Sequence, residues 1–344
     1  MPEPVRWQDR LTRALAEVLR QSLRTAFDLF KVIIPIIILI RVLEQLGVIK
    51  YLGIALAPVM ELVGLPGQTG LVWATTMVTN LYGGAAAFVS LHLPVPMTAA
   101  QATVLTTMML IAHGLPVELR IAQKAGTRFR VMAVLRVGGA FLAGFSLNHF
   151  YRAMGWLQED NIAVFHGPLD TSWAAWLRGK GIFLLEVMAI IFALMLLIRA
   201  LKAVGVMDLL ARLMEPGLRL LGMSRGAAPV TVIGMTMGLT YGGGIIIQEA
   251  RSGILGKRDV FFSLALMGLT HSLIEDTLLM MMLGGRLSGV LVWRVAFSLL
   301  VIFTLVRLLG RLPDKTFEKY LCRPVTEKDY RRDAARRALR EAQR

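Results

Sequence analysis

Apolar residues in this chain run in long blocks rather than alternating with polar ones. Phe183–Ile198 contains a single charge, Val137–Leu147 none, and Leu287–Val306 only Arg294. A bilayer core takes about 20 mostly apolar residues per helix, and several blocks approach or meet that length. The pattern predicts an all-α integral membrane protein. Full spans are expected at about 28–47, 98–124, 129–150, 183–202, 260–283 and 288–310. Two amphipathic helices, Leu52–Leu65 and Asp208–Met223, and two glycine-interrupted apolar segments, 68–90 and 227–248, lie between them. Each interrupted segment is long enough to cross, but its glycines favour a re-entrant hairpin over a full crossing.

The blocks repeat. Ile40-Arg41-Val42-Leu43 returns 158 positions later as Ile198-Arg199-Ala200-Leu201, and Pro58 as Pro216. His113 returns as His271, Gly126 as Gly284, and Val134-Leu135-Arg136-Val137 as Val292-Trp293-Arg294-Val295. Tyr82-Gly83-Gly84 returns as Tyr241-Gly242-Gly243, slipped by one residue. One offset held over this length makes the chain two copies of one unit. The expected organisation is a basic amphipathic segment at 1–25, repeats at 26–150 and 182–310, a linker at 151–181 and a charged tail at 311–344.

Composition agrees: 56% of residues are hydrophobic, only 18% are charged, and mean hydropathy is +0.61. This excludes a soluble enzyme, a secreted disulfide scaffold and a disordered protein. The net charge of +15 sits at the ends and in loops, where the positive-inside rule puts it, rather than in a nucleic-acid footprint. Arg6, Arg10, Arg13, Arg20 and Arg24 place the N-terminus inside, as Arg120, Lys124, Arg128, Arg130 and Arg136 place a second loop. The linker carries Trp156, Trp173 and Trp176 and is expected outside. Leu91–Met97 has no Lys or Arg, while the corresponding loop near 249–259 has Arg251, Lys257 and Arg258. Opposite charge bias in equivalent loops predicts inverted topology in a bacterial cytoplasmic (inner) membrane, with both termini cytoplasmic. The single cysteine, Cys322, offers no disulfide, and no cleavable signal is expected.

Interrupted helices at matching positions of inverted repeats point to a transporter binding site. The candidates here are Asn80, Tyr82, Gly83 and Gly84 in the first copy, and Thr240, Tyr241, Gly242 and Gly243 in the second. Packing glycines are the plainer reading of either copy alone. A second constellation is His113 with Glu118, and His271 with Glu275 and Asp276, ionisable groups inside apolar stretches where they are costly. Spacing of four puts His271 and Glu275 on one helix face, and Pro116 is expected to break the first helix. These residues suit hydrogen-bonding a polar ligand, carrying a coupling proton, or ligating a divalent cation through His113, Glu118, His271 and Glu275. A self-satisfied ion-pair network is the structural alternative. No nucleotide-binding loop is present, and neither a catalytic residue nor a cofactor is expected.

With Tyr82-Gly83-Gly84 and Tyr241-Gly242-Gly243 each followed by an apolar helix bearing His113 or His271, residues 40–310 resemble the nucleoside-recognition/gate repeats. These repeats are shared by concentrative nucleoside transporters, the membrane part of ferrous-iron transporter B and spore maturation proteins A and B. The resemblance implies a multi-pass transporter of a small polar solute, nucleoside-like, together with a coupling ion. A divalent metal permease and a non-transporting membrane scaffold are the alternatives. Expected partners are the lipid bilayer, the solute and a second copy of the chain.

Overall fold

A computed structural model describes residues 7–93, 95–162 and 172–323. The basic residue Arg6, the middle of the expected linker and most of the expected tail lie outside the described residues. In chain order the helices of the first half are α1 (Trp7–Gln45), α2 (Val48–Leu62), α3 (Thr69–Val78), α4 (Leu81–Ser90), α5 (Ala99–Ile111), α6 (Leu115–Lys124) and α7 (Phe129–Met154). The second half repeats the series as α8 (Trp173–Ala203), α9 (Val206–Leu220), α10 (Ala227–Met237), α11 (Leu239–Ser252), α12 (Lys257–Leu269), α13 (Glu275–Met282) and α14 (Arg294–Leu309). A π-helical turn, Ser288–Trp293, leads into α14, and a short α15 (Asp314–Leu321) follows it. No named strand occurs among the described residues.

Local chemistry sets the boundaries. Gly47 and Gly205 adopt left-handed backbone, with φ of 70° and 77°, and end α1 and α8 where the amphipathic helices begin. The turn at Gly47 bends α1 against α2 by 97°. Thr98 and Gln101 form a reciprocal capping box at the start of α5. Asn80, in extended backbone, caps α4 by accepting from the Gly83 N–H at 2.9 Å.

Four stretches are long and apolar enough to cross a bilayer by themselves: Ala99–Lys124, Phe129–Met154, Trp173–Ala203 and Ser288–Leu309. The bent pair α1 and α2 makes a fifth. The expected span at 260–283 is instead split into α12 and α13, because residues 270–274 leave the helix. The interrupted segments double back as hairpins. A Cβ on Gly84 would lie 1.9 Å from Thr76 Oγ1, and one on Gly242 would lie 2.2 Å from Gly234 Cα. Residues eight apart approach this closely only when α4 folds onto α3 and α11 onto α10. The turns fall at Thr79–Asn80 and Gly238, a few residues before the glycines expected to make them. Gly83, Gly84, Gly242 and Gly243 sit inside helices, where small size rather than free backbone is what the contact requires.

Inversion is visible in what each end of the molecule gathers. At one end, Ala99 N–H donates to Glu159 O, Asn161 N–H to Met97 O, and the Asn161 amide to Leu283 O. At the other, Arg323 N–H donates to Gly126 O and Arg128 N–H to Leu321 O, while Arg258 pairs with Asp314 and Lys257 with Glu318. Thus 97–99 and 283 meet at the linker end, while their equivalents 255–257 and 125 lie at the tail end. Broken helix α5–α6 covers 26 residues between these ends, about 39 Å if straight. Each repeat is therefore the other turned over.

The hairpin glycines divide by what faces them. Gly242→Ala should cost about 1–3 kcal/mol, because its methyl meets backbone that cannot retreat. Gly244→Ala meets open space and should gain up to ~1 kcal/mol of helix propensity. Melting temperatures of the two purified variants should fall on opposite sides of the parent. Cys322 is buried, and burial beside the Glu318 carboxylate pushes its thiol up. It should react with maleimide near neutral pH far more slowly in folded than in denatured protein, as timed mass spectrometry would record.

Candidate functional site

Four interruptions converge in the middle of the fold. The α3–α4 turn, the α5–α6 break at Ala112–Gly114, the α10–α11 turn at Gly238 and the α12–α13 break at 270–274 share one cavity of about 250 Å³. Asn80, Tyr82, His113, Glu118, His271 and Asp276 line it, along with Leu81, Met237, Gly238, Leu239 and Ser272. Backbone freed within hydrocarbon depth needs internal partners. Gly114 N–H donates to Thr76 O at 3.1 Å, and in the second copy Leu273 N–H donates to Met235 O at 3.1 Å. Each hairpin is thereby joined to the broken helix of its own repeat.

The two histidines meet across the pseudo-symmetry axis. Their Nε2 atoms are 3.1 Å apart, and Glu118 Oε1 lies 3.3 Å from each. Both Nδ1 atoms point at backbone carbonyls: His113 at Leu110 O (3.1 Å) and His271 at Met267 O (2.7 Å). Glu118 gives its other oxygen, Oε2, to the guanidinium of Arg136, and Arg136 Nε donates to Ile111 O at 3.0 Å. Arg294 Nη2 donates likewise to His271 O at 3.0 Å, and Asp276 Oδ2 stands 3.9 Å from His113 Nε2. His113, Glu118, Arg136, His271 and Arg294 are buried, and Asp276 is partly exposed. His113, Glu118 and His271 are the only His, Cys, Asp or Glu group among the described residues close enough to hold a metal ion together.

Several expectations need correction. Arg136 does not belong to the loop cluster of Arg120, Lys124, Arg128 and Arg130; it is 2% exposed and serves the site. The first helix is interrupted where Pro116 predicts, at Ala112–Gly114 just ahead of it; the proline itself sits in the first turn of α6, where its missing N–H costs nothing. Glu275 does not pair with His271, because the helix is interrupted between them and the four-residue rule lapses; it is exposed and faces a different space. The partner equivalent to Glu118 is Asp276, which lies 158 positions on. Gly83, Gly84, Gly242 and Gly243 serve helix contacts behind the cavity. Thr240 and Tyr241 lie in α11, and their side chains fall outside the described residues.

Arg136 and Arg294 are the site residues that sequence reasoning passed over, although both occupy the 158 register within apolar spans. Each repeat thus supplies His, carboxylate and Arg at one spacing: His113, Glu118 and Arg136, then His271, Asp276 and Arg294. Arg136→Met would strand the Glu118 charge in the interior and should cost about 3–5 kcal/mol. Adding Glu118→Gln should recover much of that loss. Thermal unfolding of single and double variants in detergent checks this.

A second cavity, of about 590 Å³, lies between α1 and α8 on the tail side. Its polar lining includes Glu17, Gln21 and Thr25, one helical turn apart on α1, facing Arg199 and Lys202 on α8. Glu275 and Tyr82 close its inner end, and Tyr82 lines both cavities. On the linker side α1 and α8 pack without such a gap: Ile33, Ile36, Ile37 and Ile40 are buried, as are Trp176, Phe183 and Val187. There the Arg41 guanidinium lies 5.5 Å from the Trp173 ring and pairs with Glu44, which also takes His92 Nδ1 at 2.5 Å.

Comparison with known proteins gives one family and one curated relative. The family model for Gate, described as nucleoside recognition, matches residues 26–127 and 184–287, two regions that begin 158 positions apart. An uncharacterized membrane protein of Bacillus subtilis (strain 168), YvoD, is 29% identical over 287 residues, which cover 82% of this chain and 91% of YvoD. No solved structure matches. With two matched regions spanning more than half its length, this multi-pass integral membrane protein belongs to the Gate, nucleoside recognition, family.

Proposed function

We propose that the protein is a secondary transporter of a small polar solute, nucleoside-like by the family's description, which binds in the cavity between the two repeats. The observation that carries this is the one-sided path: a polar vestibule reaches Tyr82 from the tail end, while on the linker side the described residues of α1 and α8 are buried against one another. Inverted repeats give such an arrangement a purpose. What is open on one side has a closed counterpart on the other, and exchanging the two repeats' conformations reverses the access. The Tyr82 ring offers a flat surface for a planar ligand, and Asn80 and Ser272 supply directional hydrogen bonds. A polar row such as Glu17, Gln21 and Thr25 on a membrane helix is tolerated where it borders water.

The tail end carries Arg120, Lys124, Arg128, Arg130, Lys257 and Arg258, so the vestibule opens to the cytoplasm of a bacterial inner membrane and both termini lie there. Repeat units at about 26–150 and 182–310, an outside linker and pairing with a second copy complete the proposed organisation.

Uptake of radiolabelled nucleosides and other small polar solutes into proteoliposomes tests the reading. Tyr82→Ala and His271→Ala should each lower uptake about tenfold or more, ~1.4 kcal/mol or above, with the protein still folded. Uptake indifferent to both substitutions, or absent for every solute, would sink the proposal. Orientation has its own check. With Cys322 replaced, Ser172→Cys should be labelled by an impermeant reagent on intact cells, and labelling only after permeabilisation would reverse the proposed sidedness.

A further inference from the structure

We propose that His113, His271 and Glu118 bind a divalent transition-metal ion at the floor of the central cavity. Each Nδ1 faces a carbonyl oxygen, which can only accept, so each Nδ1 carries the ring hydrogen. In the neutral rings both Nε2 atoms are then bare lone pairs, yet they stand 3.1 Å apart. The third atom of the triangle, Glu118 Oε1, is also an acceptor, 3.3 Å from both. Three lone-pair atoms pressed together in a buried place repel one another unless something positive lies among them.

A metal ion satisfies that requirement best. For ligand bonds of about 2.0–2.1 Å, adjacent donors of a tetrahedral site are about 3.3–3.4 Å apart. The observed edges of 3.1, 3.3 and 3.3 Å form nearly such a face. The histidine ring centroids are 4.9 Å apart with planes at 43°, closer than a collinear N···N approach allows, so the lone pairs converge to one side. A single shared proton would serve one edge of the triangle, whereas a central cation serves all three. The surroundings are those of a ligand shell: carbonyls fix both tautomers, and Arg136 holds Oε2 of Glu118 while Oε1 stays free.

Two imidazoles and one carboxylate select borderline ions such as Zn²⁺, Fe²⁺, Mn²⁺ or Co²⁺ over Mg²⁺ or Ca²⁺. All three ligands line the cavity, and Asp276 Oδ2 stands 3.9 Å from His113 Nε2. Arg136 and Arg294 weaken the hold on a dication, which suits an ion that exchanges rather than one bound for the protein's lifetime. The inference rests on the same cavity as the transport reading but makes its own claim about binding.

Purified protein, stripped with EDTA and kept in detergent, would be titrated with Co²⁺ as a spectroscopic probe and melted with and without Zn²⁺ or Mn²⁺. The expected result is one Co²⁺ per chain with the intense visible bands of a low-coordinate site, together with a raised melting temperature. His113→Gln and His271→Gln should abolish both signals, while His149→Gln, an exposed histidine on α7, should retain them. Because Glu118→Gln also disturbs the Arg136 pair, the histidine variants are the deciding ones. The proposal is overturned if stripped protein neither develops those bands nor is stabilised by Zn²⁺ or Mn²⁺, or if the histidine variants bind Co²⁺ like the parent. Solute uptake without metal binding would sink this inference alone. Metal binding without uptake of any solute would sink only the transport reading.

Discussion

Everything central in this protein depends on backbone that leaves the helix where hydrocarbon surrounds the fold. A peptide group there has no water to turn to, so the chain must provide a partner for each one. Two buried arginines do this directly, Arg136 at Ile111 O and Arg294 at His271 O. The two histidines do it through Nδ1, and the hairpins through Gly114 N–H and Leu273 N–H. The site's charged groups are thus first of all the means by which four helix breaks exist together. Their chemistry follows from that duty, because a histidine whose Nδ1 is committed to a carbonyl has only Nε2 left to offer.

Symmetry places the groups in pairs, but the pairs are not used alike. Glu118 is held tightly by Arg136 and reaches both histidines, whereas Asp276 stands back at 3.9 Å from His113. The second copy also differs by the π-helical turn leading to Arg294, a local widening of the kind found at functional sites. The same imbalance appears between α1 and α8. A polar cavity separates α1 from α8 on the tail side, and isoleucines packed on Trp176, Phe183 and Val187 fill the equivalent space on the linker side.

Much of this was legible in the residue order. Apolar blocks and a constant offset gave helices, duplication and inversion, because lipid-facing helices must be long and apolar and because loop charge records sidedness. Asn80 and Tyr82 were marked by glycine interruptions at matching positions of the repeats, and His113, Glu118, His271 and Asp276 by a local rule: ionisable groups are costly in apolar stretches. Tertiary structure alone decided where the helices break, since Asn80 and Gly238 turn the chain while the neighbouring glycines merely let helices touch. It alone separated Asp276 from Glu275, because a periodicity rule assumes an unbroken helix. It also moved Arg136 from a surface cluster to the core, since a charge near a span's end looks the same in sequence whether it faces water or a buried carboxylate. The 3.1 Å approach of two histidines 158 positions apart is a property of packed repeats, and no spacing along the chain encodes it.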